Sequence, residues 1–303
     1  MERSMIRVEN LTMVYPGGKG IFDIDFTVRK GSVTGYLGPN GSGKTTTVRA
    51  LLGFMLPQKG SCSIDGMDCF LKAPSIQKHL GYLPGEISFI DGMRGDKFLD
   101  FMMNMRRAKD KKRMQGLLEM FELDPSGQIR KFSKGMKQKL GIVVAFMNDP
   151  DVLILDEPSS GLDPLMQARF IELIREEKSR GKTILLSSHI FDEVEKTCDE
   201  VLIIRDGRIA QQADVSTLRK SHLKAFIVET LDVNFAESSF KNAGFIAKKA
   251  EDSSLEVFVP GDSVNIFIKT LSTMPIADLR IKEQTIEDAF MHFYGNQKEE
   301  GRQ

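Results

Sequence analysis

The sequence predicts an α/β fold with a P-loop core and a mainly parallel sheet. To that core it adds an N-terminal antiparallel β subdomain, an inserted α-helical subdomain and a small C-terminal α+β module. Three observations predict it. Gly38-Pro39-Asn40-Gly41-Ser42-Gly43-Lys44-Thr45 fits G-x-x-x-x-G-K-[ST] between a strand-like run (residues 33–37) and a helix-like run (residues 46–52). Val152-Leu153-Ile154-Leu155 is an apolar run ending in Asp156-Glu157, as a buried parallel strand does when ligand groups stand at its C-terminal end. Thr45 and Asp156 are 111 residues apart, where one βαβ unit needs only about 30.

Composition bounds the rest. A chain of 303 residues suggests about two domains. Lys plus Arg equal Asp plus Glu at 42 each, so no global charge argues for nucleic acid, and no nucleic-acid partner is expected. No uncharged apolar run reaches the roughly 18 residues of a membrane span, and residues 1–6 lack the apolar segment of a secretory signal. Cys62, Cys69 and Cys198 have no metal-ligand spacing and fit a reduced environment. The four histidines are scattered, so a metal site made of side chains alone is not expected. Between Met102 and Lys139 there are eleven Lys or Arg against four Asp or Glu, and eight of the sixteen methionines fall between Met93 and Met147. That stretch is either a solvated basic surface or a face for an anionic or adaptable partner.

Taken in order, residues 6–15 alternate as an edge strand, and Pro16-Gly17-Gly18 breaks them. Residues 21–28 alternate with period two, so an antiparallel pair is expected ahead of the phosphate loop. Residues 61–66 read as a short strand, and Gly81-Tyr82-Leu83-Pro84-Gly85-Glu86 as a strand entering a loop. Residues 97–103 and 114–121 carry apolar residues at helical spacing. Ser133 is a candidate N-cap for a buried helix over residues 140–147. Asp163 caps a helix that has Pro164 at its first position. Residues 183–187 form the next buried strand, with Ser188-His189 at its end, and Asp206-Gly207 signals a hairpin. Beyond residue 215 the pattern changes to strands over 226–230, 255–259 and 277–281, helices over 234–243 and 264–271, and a short helix from Thr285 to Phe290.

The motifs carry chemistry by residue type. In the phosphate loop, glycines let backbone N–H groups converge on phosphate oxygens, and the following helix adds its N-terminal dipole. Lys44 would reach the terminal phosphates of a nucleoside triphosphate, and Thr45 would hold Mg²⁺ through its hydroxyl. Asp156 suits a Mg²⁺ ligand, direct or through water, and Glu157 suits orienting and deprotonating an attacking water. His189 either donates to the γ-phosphate or is structural. Tyr15 either stacks on a base or belongs to the core. The helix start at Ser133-Lys134-Gly135 is either a second anion site or a plain cap.

Taken together, these segments resemble the nucleotide-binding subunit of an ATP-binding cassette (ABC) transporter over roughly residues 5–215. The resemblance implies a P-loop ATPase core that binds ATP and Mg²⁺. Residues Gly38 to Thr45, with Thr46, match the family's phosphate loop, and Tyr15 its adenine-stacking aromatic. Asp156 and Glu157 match its metal-associated Asp and catalytic Glu, Asp163 its loop crossing a dimer interface, and His189 its switch histidine. Phe132-Ser133-Lys134-Gly135-Met136 stands where the family signature Leu-Ser-Gly-Gly-Gln is expected, keeping Ser133 and Gly135 while Lys134 adds a charge. After Pro84, where many members carry a glutamine, this chain has Gly85-Glu86, and Glu86 either senses Mg²⁺ or faces solvent. The tail after residue 215 resembles that of bacterial multidrug- or antibiotic-export ATPases whose permease is a separate chain.

The implied organisation is a nucleotide-binding domain over 1–215, with a helical insert at about 88–147, and a C-terminal domain over 216–303. The implied partners are a second copy, head to tail, and an integral membrane permease, which would place the chain at the cytoplasmic face of the membrane. The implied reaction is Mg-dependent ATP hydrolysis with Lys44, Glu157 and His189 at its centre. Two other readings stay open on sequence grounds: an ABC-type ATPase acting on ribosomes or nucleic acid, and an ATP-gated regulatory module with little turnover.

Overall fold

The computed structural model describes residues 4–90, 92–106, 111–216, 223–250 and 254–282. The chain divides into two compact units between Gln212 and Ala213. The first begins with β1 (Ser4–Val14) and β2 (Gly20–Arg29), an antiparallel pair, followed by β3 (Val33–Leu37), the phosphate loop and helix α1 (Lys44–Leu51). β4 (Lys59–Ile64) then returns to pair with β1, and β5 (Met67–Asp68) with β4, so the order is β2-β1-β4-β5. β1 is therefore an inner strand and not the edge strand that its alternation suggested. Ile6 faces Val28 on one side and Ile64 on the other. Period-two alternation reports which face is buried; it does not report how many neighbours a strand has.

The second sheet joins β6 (Leu80–Leu83), β7 (Val152–Asp156), β8 (Thr183–Ser188), β9 (Glu200–Arg205) and β10 (Arg208–Asp214) to β3 in the order β10-β9-β3-β8-β7-β6. The pairs β6/β7, β7/β8, β8/β3 and β3/β9 are parallel. β9 and β10 meet at Asp206-Gly207, both with positive φ (49° and 74°), the geometry of a tight two-residue hairpin. Val152, Leu153, Ile154 and Leu155 are all buried, each contributing about 1.5–3 kcal/mol by leaving water. That burial pins β7 in the sheet interior and brings its C-terminal end beside those of β8 and β3.

Between β6 and β7 stand the inserted helices α3 (Gly95–Met105), α4 (Lys112–Met120) and α5 (Lys134–Phe146), with α2 (Ala73–Ile76) ahead of β6. Part of the basic surplus is turned inward. Arg106 donates to the Leu80 carbonyl at 2.8 Å, and Arg113 to the Phe146 carbonyl at 2.9 Å and to the fully buried Glu177 at 2.5 Å. Glu177 lies on α6 (Pro164–Ser179), so Arg113 ties the inserted helices to the core. Met103, Met114 and Met147 are core residues, while Met105 is exposed. Among the described residues no helix is long and apolar enough to cross a membrane.

The second unit is β11 (Leu223–Thr230), α8 (Val233–Asn242), β12 (Ile246–Lys249), β13 (Ser254–Pro260), α9 (Val264–Leu271) and β14 (Ile276–Lys282). Its sheet runs β12-β13-β11-β14, all antiparallel, giving the split β-α-β-β-α-β arrangement. Phe226, Val228, Phe240, Val257 and Phe267 form its core. Sequence periodicity misses β12, because Ile246-Ala247-Lys248-Lys249 is too short and too basic to stand out. The helix expected from Thr285 to Phe290 lies outside the described residues.

Candidate nucleotide site

The neighbouring C-terminal ends of β3, β8 and β7 carry the phosphate loop, His189 and Asp156-Glu157 respectively. Gly38 to Gly43 turn from β3 into α1, with Gly41 at φ 82° and Gly43 at φ 113° as the residue ahead of the helix. A Cβ on Gly43 would lie 2.5 Å from Ile21 Cγ2, and one on Gly38 would lie 2.4 Å from the Ile204 carbonyl. Both positions need glycine for space, and Gly43 also for its backbone conformation. Pro39 and Asn40 continue the turn, Asn40 being exposed, and Ser42 Oγ is buried without a hydrogen-bond partner among the described residues. Lys44 is buried, its Nζ donating to the carbonyls of Gly38 (2.6 Å) and Pro39 (3.3 Å).

Thr45 Oγ1 donates to Asp156 Oδ2 at 2.9 Å, and Ser187 Oγ donates to Asp156 Oδ1. Asp156 is buried at the end of β7. Its charge, after burial itself, is what pushes the Tyr82 phenol up to about 12. Glu157, one residue on, takes φ 50°, a left-handed conformation that costs a non-glycine residue about 1–2 kcal/mol. Surrounding bonds hold it there: Glu157 N–H donates to the Ser187 carbonyl (3.0 Å), and Gln138 Nε2 to the carbonyls of Glu157 (3.4 Å) and Pro158 (2.7 Å). The carboxylate then faces two cationic or proton-bearing groups, with Oε1 3.2 Å from Lys44 Nζ and Oε2 bonded to His189 Nδ1. The His189 ring is itself half exposed.

Tyr15 follows β1 and is half-buried. Its hydroxyl lies 3.5 Å from both Thr46 Oγ1, in the first turn of α1, and Met55 Sδ, in the segment that follows the helix. Glu86 is exposed, and it is Gly85 that borders Asp156, a Cβ there lying 3.4 Å from Asp156 Oδ2. Ser133, Lys134 and Gly135 form a second group apart from the phosphate loop. Ser133 Oγ accepts the Met136 N–H at 3.1 Å as the N-cap of α5, and a Cβ on Gly135 would lie 2.9 Å from the Gly161 carbonyl. The Lys134 stem covers Gly161, and Asp163 caps α6 by accepting the Met166 N–H at 3.0 Å. Lys44, Thr45, Asp156, Glu157 and His189 thus meet within the chain, while Ser133, Lys134, Gly135 and Asp163 line a separate exposed edge. Sequence reasoning missed Gln138, Ser187 and, on helix α7 (Phe191–Thr197), Glu193, polar residues whose burial and partners are set by packing that residue type and period do not report.

The donor set suits a magnesium nucleotide. A threonine hydroxyl and a carboxylate stand side by side, and no group of three or more His, Cys, Asp or Glu among the described residues forms a closed metal cage. Mg²⁺ is commonly held by one or two protein oxygens, with phosphates and water completing an octahedron. The buried, unpaired Ser42 hydroxyl and the positive-φ glycines fit a phosphate-binding turn.

Fold and site together define a P-loop nucleotide-binding domain, and the comparisons make the class specific. A family model described as "ABC transporter" matches residues 21–160. The bacitracin transport ATP-binding protein BcrA of Bacillus licheniformis is 30% identical over 96% of this chain and 98% of its own length. A solved structure of an ATP-binding subunit of an ABC transporter is 31% identical with a TM-score of 0.66, over 72% of this chain and 93% of that chain. The dimeric post-hydrolysis state of the ATP-binding cassette MJ0796 with ADP and Pi shares the fold at 19% identity and a TM-score of 0.64, over 70% of this chain and 99% of that one. The chain belongs to the ABC transporter ATP-binding proteins. It is the ATP-binding subunit of a transporter, with the ABC ATPase fold.

Proposed function

We propose that this subunit powers export through a separate membrane permease, two copies closing head to tail on two Mg-ATP. The observation that carries the reading is the Glu157 carboxylate set between Lys44 and His189, one residue beyond an Asp156 already bonded to Thr45. In each composite site one protomer contributes Tyr15 against adenine and residues 38–46 around the phosphates. The other protomer contributes Ser133, Lys134, Gly135 and Asp163 from its exposed edge. Thr45 and Asp156 would hold Mg²⁺, with Glu86 as the further contributor that the family resemblance implies. Mg²⁺ supplies neutralisation of the charge that gathers on phosphate oxygens.

Glu157 takes a proton from water as the water oxygen bonds to the γ-phosphorus. The bond from that phosphorus to the β–γ bridging oxygen breaks, leaving ADP and phosphate. Lys44 offsets the negative charge, and closure excludes bulk water. With Nδ1 committed to Glu157, His189 can donate to the γ-phosphate only from Nε2. That requires an imidazolium, or a proton residing on Glu157. We assign nucleotide binding to residues 1–215, permease contact to the helical insert at about 88–147, and a separate role to 216–303. Export rests on the tail's resemblance to export ATPases, and the relative BcrA is named for bacitracin transport. Peripheral attachment at the cytoplasmic membrane face follows from the permease.

The test is Mg-ATP hydrolysis by the wild type and by Glu157→Gln, with dimerisation of the variant followed by size-exclusion chromatography in ATP. Turnover that persists in the variant, or no dimer with ATP, would sink the reading. Co-purification of a membrane chain checks the permease, and its replacement by ribosomes or nucleic acid would favour the non-transport reading.

A further inference from the structure

Val14 is the last residue of β1, and Tyr15 follows it. On the side away from β2, β1 pairs with β4 only as far as Thr12, which faces Lys59, the first residue of β4. Beyond that point Gln58 stands in for a strand. Its backbone N–H donates to the Thr12 carbonyl at 3.0 Å. Its side-chain Oε1 accepts the Val14 N–H at 2.6 Å, and its Nε2 donates to the Val14 carbonyl at 2.9 Å. Tyr15 is closed from the other direction. Its N–H donates to the Lys19 carbonyl at 2.7 Å, and its carbonyl accepts the Gly18 N–H at 3.0 Å.

We propose that Gln58 is a positioning residue for the nucleotide base, whose side-chain amide grips both backbone groups of Val14 and so fixes the Tyr15 ring beside the start of α1. This deepens the stacking role proposed for Tyr15 and rests on it. A side-chain amide carries an acceptor and a donor on separate atoms, as a peptide unit does. It therefore continues the ladder along β1 after β4 has turned away. Stability gives little reason for the arrangement, because Gln58 is exposed and water would replace either bond at small net cost. A stacking platform gives a better one. A ring already held in place when the base arrives loses no freedom on binding, and that freedom would otherwise be subtracted from affinity. The held place is the one where the Tyr15 hydroxyl reaches Thr46 Oγ1, directly after the phosphate loop.

The experiment measures, by titration calorimetry, the affinity of the full chain for Mg-ATP and for Mg-tripolyphosphate, which has no base. The proteins are wild type, Gln58→Ala, Tyr15→Ala and the double variant. Tyr15→Ala is expected to weaken ATP binding about fivefold or more, the loss of one base–aromatic stack. Gln58→Ala is expected to weaken it about threefold or more, to change tripolyphosphate binding by less than about 1.5-fold, and to add nothing once Tyr15 is gone. Wild-type ATP affinity in Gln58→Ala overturns the inference, as do equal losses for the two ligands or losses that add in the double variant. Should Gln58→Ala fail to fold, Gln58→Glu carries the test. It keeps the length and an acceptor for the Val14 N–H but offers the Val14 carbonyl no donor, so the same base-dependent loss is expected and its absence overturns the inference. Full ATP affinity in Tyr15→Ala removes the stacking reading and the inference together, whereas a loss in Tyr15→Ala without one in Gln58→Ala removes the inference alone.

Discussion

The Thr45 hydroxyl and the Asp156 carboxylate, 111 residues apart in the chain, meet at 2.9 Å where the phosphate loop's helix begins and β7 ends. In the proposed function these are the two oxygens that would hold Mg²⁺, and the contact sets them side by side. Asp156→Asn keeps the shape and one acceptor but removes the charge, so Mg²⁺ affinity in the presence of ATP should fall about tenfold or more while metal-free nucleotide binding changes little. Mn²⁺ titration followed by electron paramagnetic resonance reads the change directly.

Glu157→Gln should bind ATP at near wild-type affinity and lose about 10²–10⁴-fold in kcat, the range for removing a general base. Removing the negative charge also leaves Lys44 without its ion pair at 3.2 Å. A nucleotide affinity equal to or above the wild type's is therefore expected. Phosphate release and nucleotide fluorescence give the two quantities separately.

Gly43→Ala should fail at the backbone rather than at the chemistry. The residue sits at φ 113°, and its new Cβ would stand 2.5 Å from Ile21 Cγ2. Strain of about 1–3 kcal/mol together with a displaced phosphate loop should lower Tm and abolish ATP binding. Gly41→Ala meets nothing within 4 Å but keeps a positive φ of 82°, so it should cost about 1 kcal/mol and weaken binding less.

Glu193 predicts a pH dependence of stability. Its folded pKa of about 7 lies above the ordinary carboxyl value of 4.5. Its contribution is thus fully present below about pH 4.5 and is lost as pH rises through about 7. Subtracting the unfolding free energies of Glu193→Gln from those of wild type isolates the effect. The difference should shift against wild type by on the order of 2–3 kcal/mol between pH 4.5 and 8.

Arg113 and Arg180 both bind Glu177, which is fully buried. Arg113→Ala leaves that carboxylate with Arg180 alone and frees the Phe146 carbonyl. A loss of about 2–4 kcal/mol in denaturant unfolding is expected. Glu177→Leu, which removes the buried charge along with its need for a partner, should cost less in combination with Arg113→Leu than the sum of the single changes.

What the sequence determined by itself was local: the phosphate loop, the strand ending in Asp156-Glu157, the caps at Ser133 and Asp163, and the hairpin at Asp206-Gly207. In each, the residue types state their own backbone geometry or burial within a few positions. The tertiary structure alone decided that β1 is an inner strand, that β12 exists, that Gly85 borders Asp156, and that the buried Glu193 accepts the Ser188 hydroxyl. Those facts depend on which distant strand or helix packs alongside. Hydrophobic period and turn chemistry encode a segment's own conformation and buried face, and the neighbour that meets that face is chosen only when the whole core closes.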